Sequence, residues 1–239
     1  MAVVCCEEHP AVLKVGSLSG SVIGVSGTMG SGKSTFVRIL TGQTEGLVDE
    51  AKELVYGNHR LLAAYCRGQF GFDITGQVEI IPSYTDRPER GDEMEGEYVH
   101  VSTEEFLAKK AEGFFAWEVG VGPYHYGTCQ RDLLSVLRRN VWGVINITPN
   151  TVLDHIQSSF LYEPKRFKAL YVNSTHRVRW MRSRGGLTEE VVRQREEQNR
   201  LWDQLVAESR GVSFHRINND ETGNLSGPVI DLAGFLSQI

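Results

Sequence analysis

Gly27-Thr28-Met29-Gly30-Ser31-Gly32-Lys33-Ser34 has the residue types and spacing to hold phosphate. It fits G-x-x-x-x-G-K-[ST] at every fixed position. The glycines let backbone N–H groups turn inward around phosphate oxygens. A helix starting at the end of the loop points its positive end at the same place. Lys33 would reach the β- and γ-phosphates, and the Ser34 hydroxyl would take one position on Mg²⁺. Gly27, Thr28, Met29, Gly30, Ser31, Gly32, Lys33, Ser34 and Thr35 are therefore the expected nucleoside triphosphate site, with Ser34 the expected metal ligand.

A second group lies between Ser83 and Tyr98. Arg87 and Arg90 stand three apart but are broken by Pro88, so an extended loop is expected rather than a helix face. Hydroxyls and carboxylates, Ser83, Thr85, Asp86, Glu89 and Glu93 among them, lie close by. Arginine is suited to bidentate phosphate recognition. A surface loop laced with salt bridges is the plain alternative.

The elements that must position these groups alternate. Val22–Ser26 reads as a short buried strand, and Thr35–Leu40 as an amphipathic helix ending near Gly42. Leu47–Leu62 carries helical spacing with an interruption at Gly57-Asn58. Val78–Ile81 is a strand closed by Pro82. Residues 83–128 are rich in turn signals, with short strands at Tyr98–Val101 and Phe114–Val119. A helix opens at Thr103, with Ser102 as its N-cap. Then come a helix at Arg131–Arg139, strands at Val141–Thr148 and Ala169–Val172, and a charged helix at Thr188–Glu208. A strand at Val212–Ile217 and a helix at Val229–Leu236 close the chain. Strands and helices alternating after a phosphate loop predict an α/β fold, a parallel sheet covered on both faces. Residues 1–20 read as an extension, with one short strand at Ala11–Val15.

Composition sets limits. The 239 residues suit one α/β domain with small inserted parts. A formal net charge of −5 argues against general nucleic-acid binding. No run reaches the length of a membrane span, the first residues lack the pattern of a secretory leader, and the cytoplasm is the expected location. Cys5, Cys6, Cys66 and Cys129 have neither zinc-site nor disulfide-framework spacing. His100, His125, His155 and His176 are scattered and read as solvated or packed rather than metal-binding. Trp142 and Trp180 read as packing residues.

The chain resembles the guanylate kinases. These carry a phosphate loop followed by S-x-T-T-R-x-x-R-x-G-E-x-x-G-x-x-Y-x-F-V-S and a stretch ending in Y-G-T. Here Ser83, Thr85, Arg87, Arg90, Glu93, Gly96, Tyr98 and Ser102 stand in matching order, with one residue fewer between Gly96 and Tyr98. Glu104-Glu105-Phe106, Gly113, Phe115, Trp117 and Tyr126-Gly127-Thr128 follow. Arg184-Gly185, Glu189-Glu190, Val192 and Arg195 match the lid pattern R-G-x-x-x-E-E-x-I-x-x-R. Ile217-Asn218-Asn219-Asp220 matches a strand followed by V-N-D.

The resemblance runs from about Ser21 to the C-terminus. It implies a P-loop NTPase core, a small β-rich acceptor-binding subdomain over about 83–128 and a helical lid over about 178–198. It implies ATP with Mg²⁺ and a small phosphorylated acceptor as ligands. Arg87, Arg90 and Tyr98 would hold the acceptor phosphate, and Ser83, Glu93, Tyr126, Gly127 and Thr128 would complete that site. Arg184 and Arg195 would close from the lid as catalytic groups with Lys33. Asn219 would lie near the adenine.

The departures fall where an acceptor base would sit. Ala116 stands in place of the glutamate of F-L-E-W. Glu118 substitutes for it only if the strand pairing shifts, because a one-residue slip turns side chains to the other face. The strand that in the family ends in carboxylates reads Ile145-Asn146-Ile147-Thr148-Pro149-Asn150. Asp86 replaces a threonine, and residues 43–76 form an insertion. The expected activity is transfer of the γ-phosphoryl of ATP to GMP or a related monophosphate. The alternatives are a sugar-phosphate kinase of the ribose bisphosphate type and a non-catalytic binding module.

Overall fold

Val22, Ile23 and Val25 are all fully buried on successive sides of one strand, as expected of a strand covered on both faces. This strand is β1 (Ser21–Gly27), and it leads into α1 (Lys33–Thr41). The computed structural model describes residues 19–74, 76–91, 93–156, 166–183, 187–220 and 225–238. The expected strand at Ala11–Val15 lies outside the described residues.

After α1 comes α2 (Asp49–Tyr65), which ends in a π-type turn over Cys66–Phe70. β2 (Val78–Ile80), β3 (Ser83–Thr85) and β4 (Tyr98–His100) precede α3 (Thr103–Ala111). The hairpin of β5 (Phe115–Val121) and β6 (Tyr124–Cys129) runs into α4 (Gln130–Arg138), β7 (Trp142–Asn146) and the short α5 (Pro149–Thr151). The rest is β8 (Phe167–Asn173), α6 (Arg177–Ser183), α7 (Glu189–Glu208), β9 (Phe214–Asn218) and α8 (Ser226–Leu236).

The main sheet has the order β2-β7-β1-β8-β9, and every pair in it is parallel. Ile23 and Val25 face a core built with Phe36, Ile39 and Leu40 of α1, Val55 and Leu62 of α2, and Val229 and Leu232 of α8. Val22 faces the other way, onto Leu133, Val136 and Leu137 of α4. Gly24 lies on that second side because a side chain there would meet the Phe167 ring at 2.5 Å. The sheet is thus sandwiched between helices, as the α/β reading predicts.

A second sheet has the order β4-β3-β6-β5. β3 pairs parallel with β4 and antiparallel with β6. The pairing of β5 with β6 shifts between Phe115 and Trp117, at a bulge that contains Ala116. Trp117, 6% exposed, packs into the α4-side core and ties this small sheet to the main one.

Three sequence expectations change. α2 runs unbroken through Gly57-Asn58. Burial of Val55, Leu62 and Ala63 along one stripe outweighs the local glycine cost, and the Asn58 side-chain amide donates back to Leu54 O at 2.7 Å. Strands β3 and β6 were not read from the sequence. The apolar run after β7 stops as a strand at Asn146, and Thr148 then caps a new turn by accepting the N–H of Thr151. Ser102 caps α3 as expected, accepting from the Glu105 N–H at 3.1 Å.

Candidate active site

The phosphate loop is the bend between β1 and α1. Gly27, Gly30 and Gly32 have φ of 147°, 84° and 90°, conformations that side-chain-bearing residues avoid. At Gly32 a side chain would also meet the Asn219 amide at 2.5 Å. Lys33 opens α1, and its Nζ donates to Gly27 O at 3.0 Å and Thr28 O at 2.9 Å. The Ser31 hydroxyl is fully buried in the loop with no hydrogen-bond partner. An orphaned donor of this kind beside a helix N-terminus suits an anionic ligand.

Three side chains from distant elements hold this loop. The Asn219 amide donates to Ser31 O at 2.8 Å, which makes Asn219 a brace of the loop itself. Thr28 Oγ1 donates to Asn173 Oδ1 at 3.2 Å. Asn199 of α7, 0% exposed, accepts the Met29 N–H at 2.7 Å and donates to Met29 O at 3.2 Å. Sequence reasoning missed Asn199, since nothing marks an asparagine in a charged helix as a loop ligand. Arg195 lies one turn earlier on α7, and residues four apart share a helix face. Arg195 and Asn199 thus share one face of α7. Arg184 lies outside the described residues.

Behind Asn199 is an ionic network. Arg177 pairs with Glu196 at 2.8 Å and with Asp203 at 2.7 Å, and also donates to Asn173 Oδ1. The Glu196 hydrogen bonds, opposed by burial and joined by Asp203, hold the Arg177 guanidinium well above its usual range. Asp203 in turn accepts from the Tyr171 hydroxyl at 2.8 Å. Burial, and then Asp203, push the Tyr171 hydroxyl far up.

The second sheet arranges the expected acceptor residues in register. Tyr98, Ser83, Thr128 and Trp117 form one row across all four strands. His100, Thr85 and Tyr126 form a row two residues on, which places them on the same face. The row between holds Val99, Tyr84, Gly127 and Glu118, on the opposite face. Gly127 lies there under Phe115, whose ring a side chain would meet at 2.7 Å. Glu118 pairs at 2.7 Å with Lys110 of α3. Ala116 sits in the bulge and packs against the core. No carboxylate from β5 thus reaches the face that carries Ser83, Tyr98 and Thr128.

A buried carboxylate stands instead at the junction of the two sheets. Glu97, 5% exposed, accepts from Asn146 Nδ2 at 3.2 Å and so bridges the small sheet to the end of β7. Neither the residue nor the contact was singled out in the sequence.

Arg87, 5% exposed, follows β3. Its guanidinium pairs with Glu93 and lies 4.9 Å from the centre of the Tyr98 ring. Burial works against its charge, but the Glu93 hydrogen bond together with the charge interactions of Glu93, Tyr126 and Tyr98 outweighs it and holds the group above the usual arginine value. The Arg90 side chain is exposed, while its backbone N–H donates to Glu93 at 3.2 Å. Arg90, Glu93, Tyr98 and His100 line one side of a cavity of about 320 Å³, and Glu45-Gly46 line the other. That volume is in the range of small-molecule pockets.

Two of the histidines are partners in this subdomain. His100 Nε2 lies 2.7 Å from Glu93. His125 donates its backbone N–H and its ring Nδ1 to Asp86, both at 2.7 Å, and Thr103 adds a third bond. Burial opposes the Asp86 charge, but these donors prevail and hold the carboxyl below its usual range. Among the described residues, no group of three or more His, Cys, Asp or Glu could hold a metal ion, and no helix is long and apolar enough to cross a membrane.

No protein-family model matches the sequence, and no curated protein matches it either. Among solved structures, the chain is similar to the guanylate kinase of Anaplasma phagocytophilum. The identity is 13%, the match covers 91% of this chain and 86% of that one, and the TM-score is 0.50. At this identity the likeness speaks for architecture: the chain has a guanylate-kinase-like, P-loop kinase fold.

Proposed function

We propose that the chain is an ATP-dependent phosphotransferase of the guanylate kinase type, acting on GMP or a related nucleoside monophosphate. One observation carries this reading. The same chain presents a formed phosphate loop with Lys33 at the start of α1 and a buried arginine, Arg87, stacked on Tyr98 beside a cavity.

Lys33 leaves its two loop carbonyls to pair with the β- and γ-phosphates. Arg87 and Arg90 hold the acceptor phosphate, and Arg184 and Arg195, of which Arg195 stands on α7, act on the transferring group. No general base is required, because the attacking oxygen already belongs to an anionic phosphate. Catalysis is then positioning and charge neutralisation. The Ser34 hydroxyl, phosphate oxygens and water make a donor set suited to Mg²⁺, a hard cation that keeps several of its waters. Bound with ATP, it would neutralise phosphate charge. β7 offers Asn146 and Thr148 rather than a carboxylate there, with Glu97 behind Asn146.

A sugar bisphosphate acceptor is a second reading, favoured by Glu118 facing α3 and by the absence of a carboxylate from Ala116, Asn146 and Thr148. A non-catalytic module is disfavoured by the intact Lys33 and Arg195. ADP release measured against GMP, AMP, UMP and a ribose bisphosphate tests the proposal. Absence of turnover with every acceptor, together with no Mg²⁺-dependent ATP binding, would overturn it.

A further inference from the structure

His100 stands where the resembling pattern has phenylalanine, and its ring is held at both nitrogens. Nδ1 lies 2.8 Å from the backbone carbonyl of Arg87, and Nε2 lies 2.7 Å from Glu93 Oε2. A carbonyl oxygen only accepts, so Nδ1 carries a proton. A carboxylate also only accepts, so Nε2 carries one as well. The other way to fill the second bond is a proton on Glu93. That oxygen pair, however, already receives the Arg87 guanidinium and the Arg90 N–H, both donors that favour the ionised form. Donor counting therefore places the proton on the ring.

We propose that His100 acts as an imidazolium that positions the acceptor-phosphate arginine through Glu93, so that capture of an anionic acceptor depends on the protonation of this one ring. The inference rests on the proposed phosphotransferase reading for the identity of the acceptor. Arg87, Glu93 and His100 form a plus–minus–plus trio, with the Arg87 and His100 side chains 4% and 25% exposed. With the ring charged, the trio is net positive and Glu93 is shared. With the ring neutral, the trio has no net charge, an Nε2 lone pair faces the carboxylate, and Glu93 falls wholly to Arg87. An incoming phosphate must then compete with Glu93 for the same guanidinium.

The surroundings sharpen the effect. Tyr98 lies beside the ring on β4, and Tyr126 faces the same way from β6. The cavity rim adds Arg90 but also Glu45, Glu89 and Glu95. Against those carboxylates, one positive charge on His100 is a large share of what draws an anion in. The sign follows from the charge: the protonated ring supports acceptor binding, and loss of its proton withdraws that support.

The full-length chain tests this in two ways. The first is the ring itself: ¹⁵N chemical shifts of the His100 imidazole, followed across a pH series, should reveal a form with both nitrogens protonated. Glu93→Gln should remove the preference for the doubly protonated form. A ring with one bare nitrogen across the whole range overturns the proposal, whatever the enzyme turns over. The second uses GMP as probe and His100→Gln, whose amide can still donate to Glu93 but does not titrate. The wild-type GMP KM divided by that of the variant should rise about tenfold between about pH 6 and about pH 8. The same ratios for kcat and for the ATP KM should stay flat. Taking the ratio removes the titration of the GMP phosphate itself. A flat KM ratio overturns the proposal. If GMP neither binds nor turns over, the acceptor reading fails and the ring shifts still decide the role of His100.

Discussion

Asn199 grips both backbone groups of Met29 with one side-chain amide, accepting the N–H at 2.7 Å and donating to the carbonyl at 3.2 Å. The phosphate loop is thereby bolted to α7, the helix that carries Arg195. Truncating Asn199 removes the partner of two half-buried backbone groups. Asn199→Ala should lower stability by about 2–3 kcal/mol in urea unfolding and raise the ATP KM. Asn199→Asp keeps the acceptor but loses the donor, and should lie between. An alanine variant with unchanged stability and ATP affinity would show the clamp to be incidental.

Lys33 makes two hydrogen bonds to loop carbonyls, and on the proposed reading its main task is charge. Lys33→Ala should lower phosphoryl transfer by at least about a hundredfold while circular dichroism and the unfolding midpoint change little. Near wild-type turnover would sink the kinase assignment.

The two arginines proposed to hold the acceptor phosphate should separate cleanly. The Arg87 side chain is 4% exposed and pairs with Glu93, so Arg87→Ala breaks a buried ion pair and leaves Glu93 to His100 and the Arg90 N–H, and it should cost about 2 kcal/mol of stability as well as acceptor binding. Arg90 is exposed, so Arg90→Ala should leave stability intact and lower kcat/KM for the acceptor by about tenfold or more. Equal stability losses in both variants, measured by thermal melting, would contradict the burial argument.

Asp86 gives an acid-side prediction. Its carboxyl is held below the usual range by His125 and Thr103 despite burial. A lowered folded-state value means that its stabilising contribution is full above the ordinary aspartate value of about 3.9. That contribution is lost as pH falls through the lower folded value. Asp86→Asn should therefore be less stable than the parent at neutral pH, and the gap should close in strong acid. A gap that stays constant down to about pH 2 would assign the loss to packing rather than charge.

Selectivity should be relaxed. Ala116 is in a bulge, and Glu118 is turned to Lys110 on the far face, so the anionic acceptors that would best match guanine N1–H and N2–H₂ are missing from β5. kcat/KM for GMP over AMP should fall well short of the roughly 10⁴-fold that sites built for specific hydrogen bonds reach. A ratio at that level would point to Glu97, the buried carboxylate on Asn146, as the reader of the base.

The parts legible in the sequence were those written locally. The glycine pattern fixes its own φ angles, Ser102 caps the next helix, and two-sided apolar runs make buried parallel strands. The three-residue strand β3 was not legible, because Ser83-Tyr84-Thr85 becomes a strand only by pairing with β4 and β6 on either side. Asn199 and Glu97 were equally silent, since each acts on a partner far along the chain. The four histidines looked scattered because distance along the chain hides that His100 lies against Glu93, and His125 against Asp86.

The position of β1 in the middle of the main sheet governs how the chain can be made. The phosphate motif is synthesised early, but β1 pairs with β7 and β8, so its first partner strand begins only at Trp142. Asn173, Asn199 and Asn219, which brace the loop, emerge later still. An amino-terminal fragment therefore carries the full motif and no nucleotide site. On the ribosome, β1 must wait with its two apolar faces uncovered, the condition in which aggregation and chaperone capture compete with folding. On the proposed phosphotransferase reading, ATP would act as a folding ligand only after Asn219 has emerged, protecting the finished chain from unfolding but not the nascent one.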